Sequence, residues 1–186
     1  RIYKVLFDLK HMTREIIAFG GSVPNFIWTP DSENVMFYLD DKMMNYHVPT
    51  KKLSERPIVY SSGGTLYLLN DGKTFMAARE DRLEFSTFDG KKFKTIKLPV
   101  DDHIQIYHNL SPDNRYFYYT EPEGRIFDIS LEKVIYSYKD TDTGPRDMIF
   151  DPITNEIVFR HRFKGLVKHN FSDDKLSVLI PYRLFS

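Results

Sequence analysis

Leu110-Ser111-Pro112-Asp113-Asn114-Arg115-Tyr116-Phe117-Tyr118-Tyr119 opens a 29-residue stretch, ending at Tyr138, that the rest of the chain copies. It reads as an apolar residue, a polar turn built on Pro-Asp-Asn, and then three strand-like runs closed by short polar tips. The turn has a local cause. Proline presets φ for the second turn position, aspartate or asparagine bonds its own backbone, and proline cannot sit inside the ladder that follows, so the chain reverses there.

The same turn recurs as Trp28-Thr29-Pro30-Asp31, Leu69-Asn70-Asp71-Gly72 and Phe150-Asp151-Pro152-Ile153. Its Pro or Asn falls at 30, 70, 112 and 152, in steps of 40, 42 and 40. A second landmark keeps the same period independently: Phe7-Asp8-Leu9, Tyr46-His47-Val48, Phe85-Ser86-Thr87, Phe127-Asp128-Ile129 and His169-Asn170-Phe171, in steps of 39, 39, 42 and 42. After each turn comes a short β-branched or aromatic run: Val35-Met36-Phe37-Tyr38, Thr74-Phe75-Met76-Ala77, Tyr116-Phe117-Tyr118-Tyr119 and Ile157-Val158-Phe159. Apolar spacing of three and four, the mark of helical repeats, is missing. A period of about 40 residues made of short strands defines four-stranded blades, so the fold class is an all-β propeller of four complete blades plus a partial one, belonging to a larger ring.

The blades run over residues 21–61, 62–99, 100–140 and 141–181, preceded by a half blade at 1–20, in a single propeller domain. Fourth strands are expected at Ile16-Ile17-Ala18-Phe19, Ile58-Val59-Tyr60, Lys94 to Leu98, Val134-Ile135-Tyr136 and Leu176 to Leu179. A five-bladed closure is the alternative to the larger ring. A half blade leaves a strand edge and an apolar neighbour uncovered, a slot for another protein or a further segment of the same protein that completes the ring.

The pattern resembles the blades of WD-repeat and related β-propellers, whose Trp-Ser-Pro-Asp step is similar to Trp28-Thr29-Pro30-Asp31 and Leu110-Ser111-Pro112-Asp113. The resemblance covers nearly the whole chain. It departs from the narrow WD-repeat family in having no Trp-Asp pair on the third strand, where Phe127-Asp128 and Phe7-Asp8 stand nearest, and no Gly-His pair before the blades. It implies a non-catalytic protein–protein interaction scaffold whose binding face carries the tips between second and third strands together with the links between blades. Two other readings follow from similar steps in other propellers. One is the accessory propeller of a prolyl-oligopeptidase-like serine hydrolase; the other is a propeller that binds a small ligand or sugar.

Composition excludes several partners. The 26 basic and 26 acidic residues cancel, which removes a global electrostatic case for nucleic acid. No apolar run reaches the roughly 20 residues of a membrane span. The absence of cysteine removes disulfides and thiolate metal sites, and suits reducing and oxidising compartments alike.

On the implied binding face, the tips Asp40-Asp41-Lys42, Arg79-Glu80-Asp81-Arg82, Glu121-Pro122-Glu123-Gly124 and Arg160-His161-Arg162-Phe163-Lys164 sort charge by blade. Arg160, His161 and Arg162, joined by Arg146 from the preceding link, are the candidate grip for a carboxylate or phosphate, because guanidiniums hold such groups bidentately. Arg79 and Arg82 are the candidates on the mixed tip. Asp101, Asp102, His103 and His108 form the densest histidine group, but His103 and His108 are five residues apart, an odd spacing that sends them to opposite faces of a strand, so no metal is expected. No nucleophile elbow or phosphate-cradling glycine loop is present, and no catalysis or cofactor is expected. Trp28, Phe37, Phe117 and Phe159 are expected between blades as core. Phe117→Ala should therefore destabilise the fold by about 3–5 kcal/mol in a denaturant titration, and a loss under about 1 kcal/mol would place the ring at the surface.

Overall fold

The computed structural model describes residues 3–8, 10–19, 26–39, 42–56, 65–79, 81–100, 108–121, 123–138, 148–161 and 164–181. None of them is helical, so no described helix could cross a membrane. A two-stranded sheet, β1 (Tyr3–Asp8) with β2 (Thr13–Phe19), precedes four antiparallel sheets of four strands each. These are β3 (Ile27–Trp28), β4 (Asn34–Leu39), β5 (Lys42–His47) and β6 (Lys52–Arg56); and β7 (Thr65–Leu68), β8 (Thr74–Arg79), β9 (Arg82–Thr87) and β10 (Lys92–Lys97). Then come β11 (His108–Leu110), β12 (Tyr116–Glu121), β13 (Glu123–Asp128) and β14 (Lys133–Ser137); and β15 (Ile149–Phe150), β16 (Ile157–His161), β17 (Gly165–Asn170) and β18 (Lys175–Pro181). In every sheet the strands pair in chain order, the arrangement of a propeller blade.

The chain divides into two compact units, Arg1–Arg79 with Leu83–Thr95, and Glu80–Arg82 with Ile96–Ser186. In the first, Leu6 and Ile17 of the two-stranded sheet pack with Val35, Phe37 and Tyr46 of the next sheet. The opposite face of that sheet, through Ile27, Met36 and Met43, packs on Leu66, Phe75 and Ala77. In the second, Tyr118 and Ile126 pack on Phe150, Ile157, Phe159 and Val167. In the β3–β6 sheet the period-2 alternation of strands thus sends alternate residues to two neighbours, and both faces are apolar because both are covered.

Pro30, Asn70, Pro112 and Pro152 all lie in the turn between first and second strands, as the repeat demands. Three turns are closed by the same backbone bond, to the carbonyl three residues back: Ser32 to Thr29, Gly72 to Leu69, and Asn114 to Ser111, N to O at 2.8–2.9 Å; in the fourth, one residue wider, Asn155 N reaches Asp151 O at 3.1 Å. The donor in each case is a left-handed residue, at φ +60° (Ser32), +64° (Gly72), +61° (Asn114) and +57° (Asn155). The turns between third and fourth strands use one too: Met12, Lys51, Gly90, Glu132 and Asp174, at φ +51° to +87°. Their positions step by 39, 39, 42 and 42, the spacing of the second landmark, because that landmark supplies the acceptor in several of these turns. Asp8 Oδ1 accepts from Lys10 and His11 N–H, Asp128 Oδ1 from Ser130 and Leu131 N–H, and Asn170 Oδ1 from Ser172 N–H.

Phe37, Phe117 and Phe159 are buried, but Trp28 is 49% exposed. Trp28 pairs with Val35, on the face turned toward β1 and β2, and those strands cover Val35 and Phe37 without reaching the indole. The fourth strand of the first complete blade is also displaced from its expected place. It is Lys52–Arg56, paired with β5 immediately after left-handed Lys51, whereas Ile58-Val59-Tyr60 lies outside the described residues. Lys52-Leu53-Ser54-Glu55-Arg56 is exposed and poor in β-formers, so pairing with β5, not its own preference, makes it a strand.

A methyl group at a left-handed position costs about 1–2 kcal/mol. Gly90→Ala is therefore expected to lower unfolding free energy by about 1 kcal/mol, and Met12→Gly to raise it by a few tenths once glycine's added chain entropy is subtracted. Urea unfolding of the two variants, matched against the parent chain, checks this; an unaffected Gly90→Ala would contradict the shared geometry.

Candidate functional site

In three sheets the second and third strands stay paired up to the tip that joins them. Glu121 pairs with Glu123, His161 with Gly165, and Leu39 with Lys42. Charged side chains are concentrated at these tips, and the geometry separates those bound into the fold from those left over.

Arg79, at the end of β8, is largely buried, with its Nε 2.8 Å from Glu84 Oε2. Glu84 is itself buried and takes Lys92 Nζ on its other oxygen at 2.9 Å, so two cations hold one carboxylate out of water. Arg82 is bound to the adjacent Asp81, NH1 to Oδ1, at 2.8 Å. At the opposite ends of the strands Arg115 donates from Nε and NH2 to Asp128 Oδ2, both at 2.9 Å. Lys168 lies between Asp151 and Glu156 at 3.3 and 2.5 Å.

The basic tip is different. Arg160 and Lys164 are exposed, and among the described residues neither is paired with a carboxylate. His161 is half-buried, its ring stacked on Phe159 at 6.4 Å between centroids. Arg162 and Arg146 lie outside the described residues, as do Asp101, Asp102 and His103. Of that histidine group only His108 is described. It faces Phe117, ring centroids 5.6 Å apart, and burial pushes its pKa down, which favours the neutral ring. No three described His, Asp or Glu side chains come together as a metal site.

Between the last two blades lies a polar network that the sequence reading did not single out. Tyr138 OH is 2.8 Å from His169 Nδ1, His169 Nε2 is 3.1 Å from Asp174 Oδ1, and Tyr136 OH donates to the same oxygen at 2.6 Å. Asp174 as acceptor makes His169 Nε2 the donor, which leaves Nδ1 to accept from Tyr138. Desolvation raises the Tyr136 hydroxyl to about 12 and pushes Tyr138 higher still, so neither is a ready base or nucleophile. His169 is only 3% exposed, and its partners join β14 and its exit to the turn after β17. The network is a pin between blades. Its only sequence signal was a histidine in place of the aromatic residue that opens the landmark in other repeats.

No protein-family model matches the chain, and no curated protein matches it. Solved structures do. A putative TolB from Agrobacterium tumefaciens superposes with a TM-score of 0.68 at 9% identity, over 94% of this chain and 68% of that one. TolB from Acinetobacter baumannii gives 0.66 at 13% identity, over 95% of this chain and 48% of that one. Hydrazine synthase of Kuenenia stuttgartiensis gives 0.55 at 14% identity, over 81% of this chain and 46% of that one. At these identities the likeness is one of fold: the chain is a β-propeller, and it spans about half the length of two of the three.

Burial of Asp128 works against its ionised form, but hydrogen bonds from Ser130 and Arg115 outweigh it, and the pKa falls below the ordinary 3.8. A lowered folded-state value means that the carboxylate stabilises the fold above the unfolded pKa, and that this contribution is lost as pH falls through the folded value. Asp128→Asn keeps an acceptor for the turn but loses the charged partner of Arg115. It should cost about 1.5–3 kcal/mol at neutral pH. The difference from the parent chain should shrink as pH drops through the carboxylate range, and a pH-independent difference would rule the ion pair out as its source.

Proposed function

We propose that this chain is a non-catalytic docking platform of the WD-repeat type, and that its basic tip engages an acidic surface or segment of another protein. The observation that carries this is the uneven use of tip cations. Arg79 and Arg82 have carboxylates of their own, whereas Arg160 and Lys164 are exposed on either side of the tip and, among the described residues, have none. Cations held near the ends of paired strands contribute steering and orientation to a charged partner, and keep the cost of ordering low. Arg162 and Arg146 belong to the same proposed cluster. The exchange of charge from tip to tip supports a protein partner over a ligand read identically by each blade.

Arg160→Glu with Lys164→Glu tests it. Partners co-purified with the parent chain are expected to be lost from the double variant, and their retention on the parent to weaken as salt rises. Undiminished association of those partners with a folded double variant would sink the proposal.

A further inference from the structure

A groove of about 790 Å³ lies on the second unit, sharing no lining residue with the basic tip, between the segment Lys97–Val100 and the outer half of the β11–β14 sheet. One wall is Lys97, Leu98, Pro99 and Val100; the other is formed by Glu123 and Arg125 of β13 with Glu132, Lys133, Val134 and Ser137. Its volume falls within the range of pockets that enclose a ligand.

The first wall is fixed in place. Leu98 is 1% exposed and donates its N–H to Asp81 O at 2.7 Å, Val100 N–H closes onto Leu98 O at 2.9 Å, and Arg125 NH1 donates to Pro99 O at 2.6 Å. Among the described residues the second wall ends in an open edge, since β14 is the last strand of its sheet and pairs there only with β13. Lys133 pairs with Asp128 and Val134 with Phe127, so the two side chains leave the strand on opposite faces. A groove lined by both passes around the edge of β14, where backbone N–H and C=O groups point outward. Lys97 and Lys133 are exposed, and among the described residues neither has a carboxylate partner; with Arg125 they make three cations against the two carboxylates of Glu123 and Glu132, and Val134, Pro99 and Val100 supply apolar surface.

We infer that this groove binds an extended peptide that adds as a strand to β14, with branched apolar residues against Val134 and Pro99 and acidic residues alternating with them toward Lys97 and Lys133. Strand addition gives affinity through main-chain hydrogen bonds, and the period of 2 in the peptide delivers its two kinds of side chain to two sides. The site is distinct from the basic tip, in position and in what it reads: an alternating strand here, a charged surface there.

The probe is a fluorescein-labelled, C-terminally amidated octapeptide of alternating aspartate and valine, titrated with the whole chain and followed by anisotropy. Saturable binding is expected, weakened about tenfold by Lys97→Glu with Lys133→Glu, both exposed positions that leave the fold intact. N-methylation of one alternate set of peptide amides should abolish binding, and methylation of the other set should not. Arg160→Glu with Lys164→Glu should leave it unchanged, which separates failure at this site from failure of the proposed tip. The inference is overturned if the octapeptide does not bind, if its lysine–valine counterpart binds equally well, if both methylated sets bind alike, or if only the tip substitutions abolish binding.

Discussion

A four-stranded sheet with both faces apolar cannot stand alone, and that constraint governs this chain. Met36 and Met43 face one neighbour while Val35, Phe37 and Tyr46 face the other, so a single sheet is core for two interfaces at once. Stability in such an array is shared between units and their nearest-neighbour contacts, and geometric mismatch at one sheet is passed to the next. Equivalent turns on adjacent blades must then remain in step. Asn155 Nδ2 donates to Asp113 Oδ2 at 2.8 Å, from one such turn to its counterpart on the preceding blade. In the first unit, left-handed Gly72 comes close enough to Pro30 that an added Cβ would lie 3.7 Å from the ring.

Charge serves the same end before it serves recognition. Glu84, Asp128 and His169 are buried polar groups, and each is met by partners that satisfy it: Arg79 and Lys92 for the first, Arg115 and the turn amides for the second, Tyr138 and Asp174 for the third. Breaking such an arrangement by removing one member leaves the other stranded in a poor solvent, which is why buried polar groups come with partners. What remains for contact with other molecules is what these networks do not use.

Much of the architecture was legible because its causes are local. Pro30, Pro112 and Pro152 stop a ladder wherever they stand, and Asp8 and Asp128 reverse a strand by accepting from amides two and three residues ahead. Strand β6 was misplaced because Lys52–Arg56 has no pattern of its own and is defined by its partner. Trp28 was misread for a related reason: alternation tells which way a side chain leaves a strand, and only the neighbouring sheet decides whether anything lies there. Site residues are harder still. Arg79 and Arg160 occupy equivalent ends of second strands and read alike as sequence, yet an acid five residues on absorbs the first. The groove beside β14 joins segments some 35 residues apart, a distance over which composition carries no signal.

The left-handed residues of the turns between third and fourth strands have a further implication. The required backbone angle is enforced by bonds from other atoms, so methionine, lysine, glycine, glutamate and aspartate all occupy that place. The geometry is constant while the side chain varies. Every blade therefore offers one outward position where chemistry can be exchanged without redrawing the path of the chain, a set of interchangeable sockets on a fixed frame. Such a surface can change residue by residue while its scaffold stays the same.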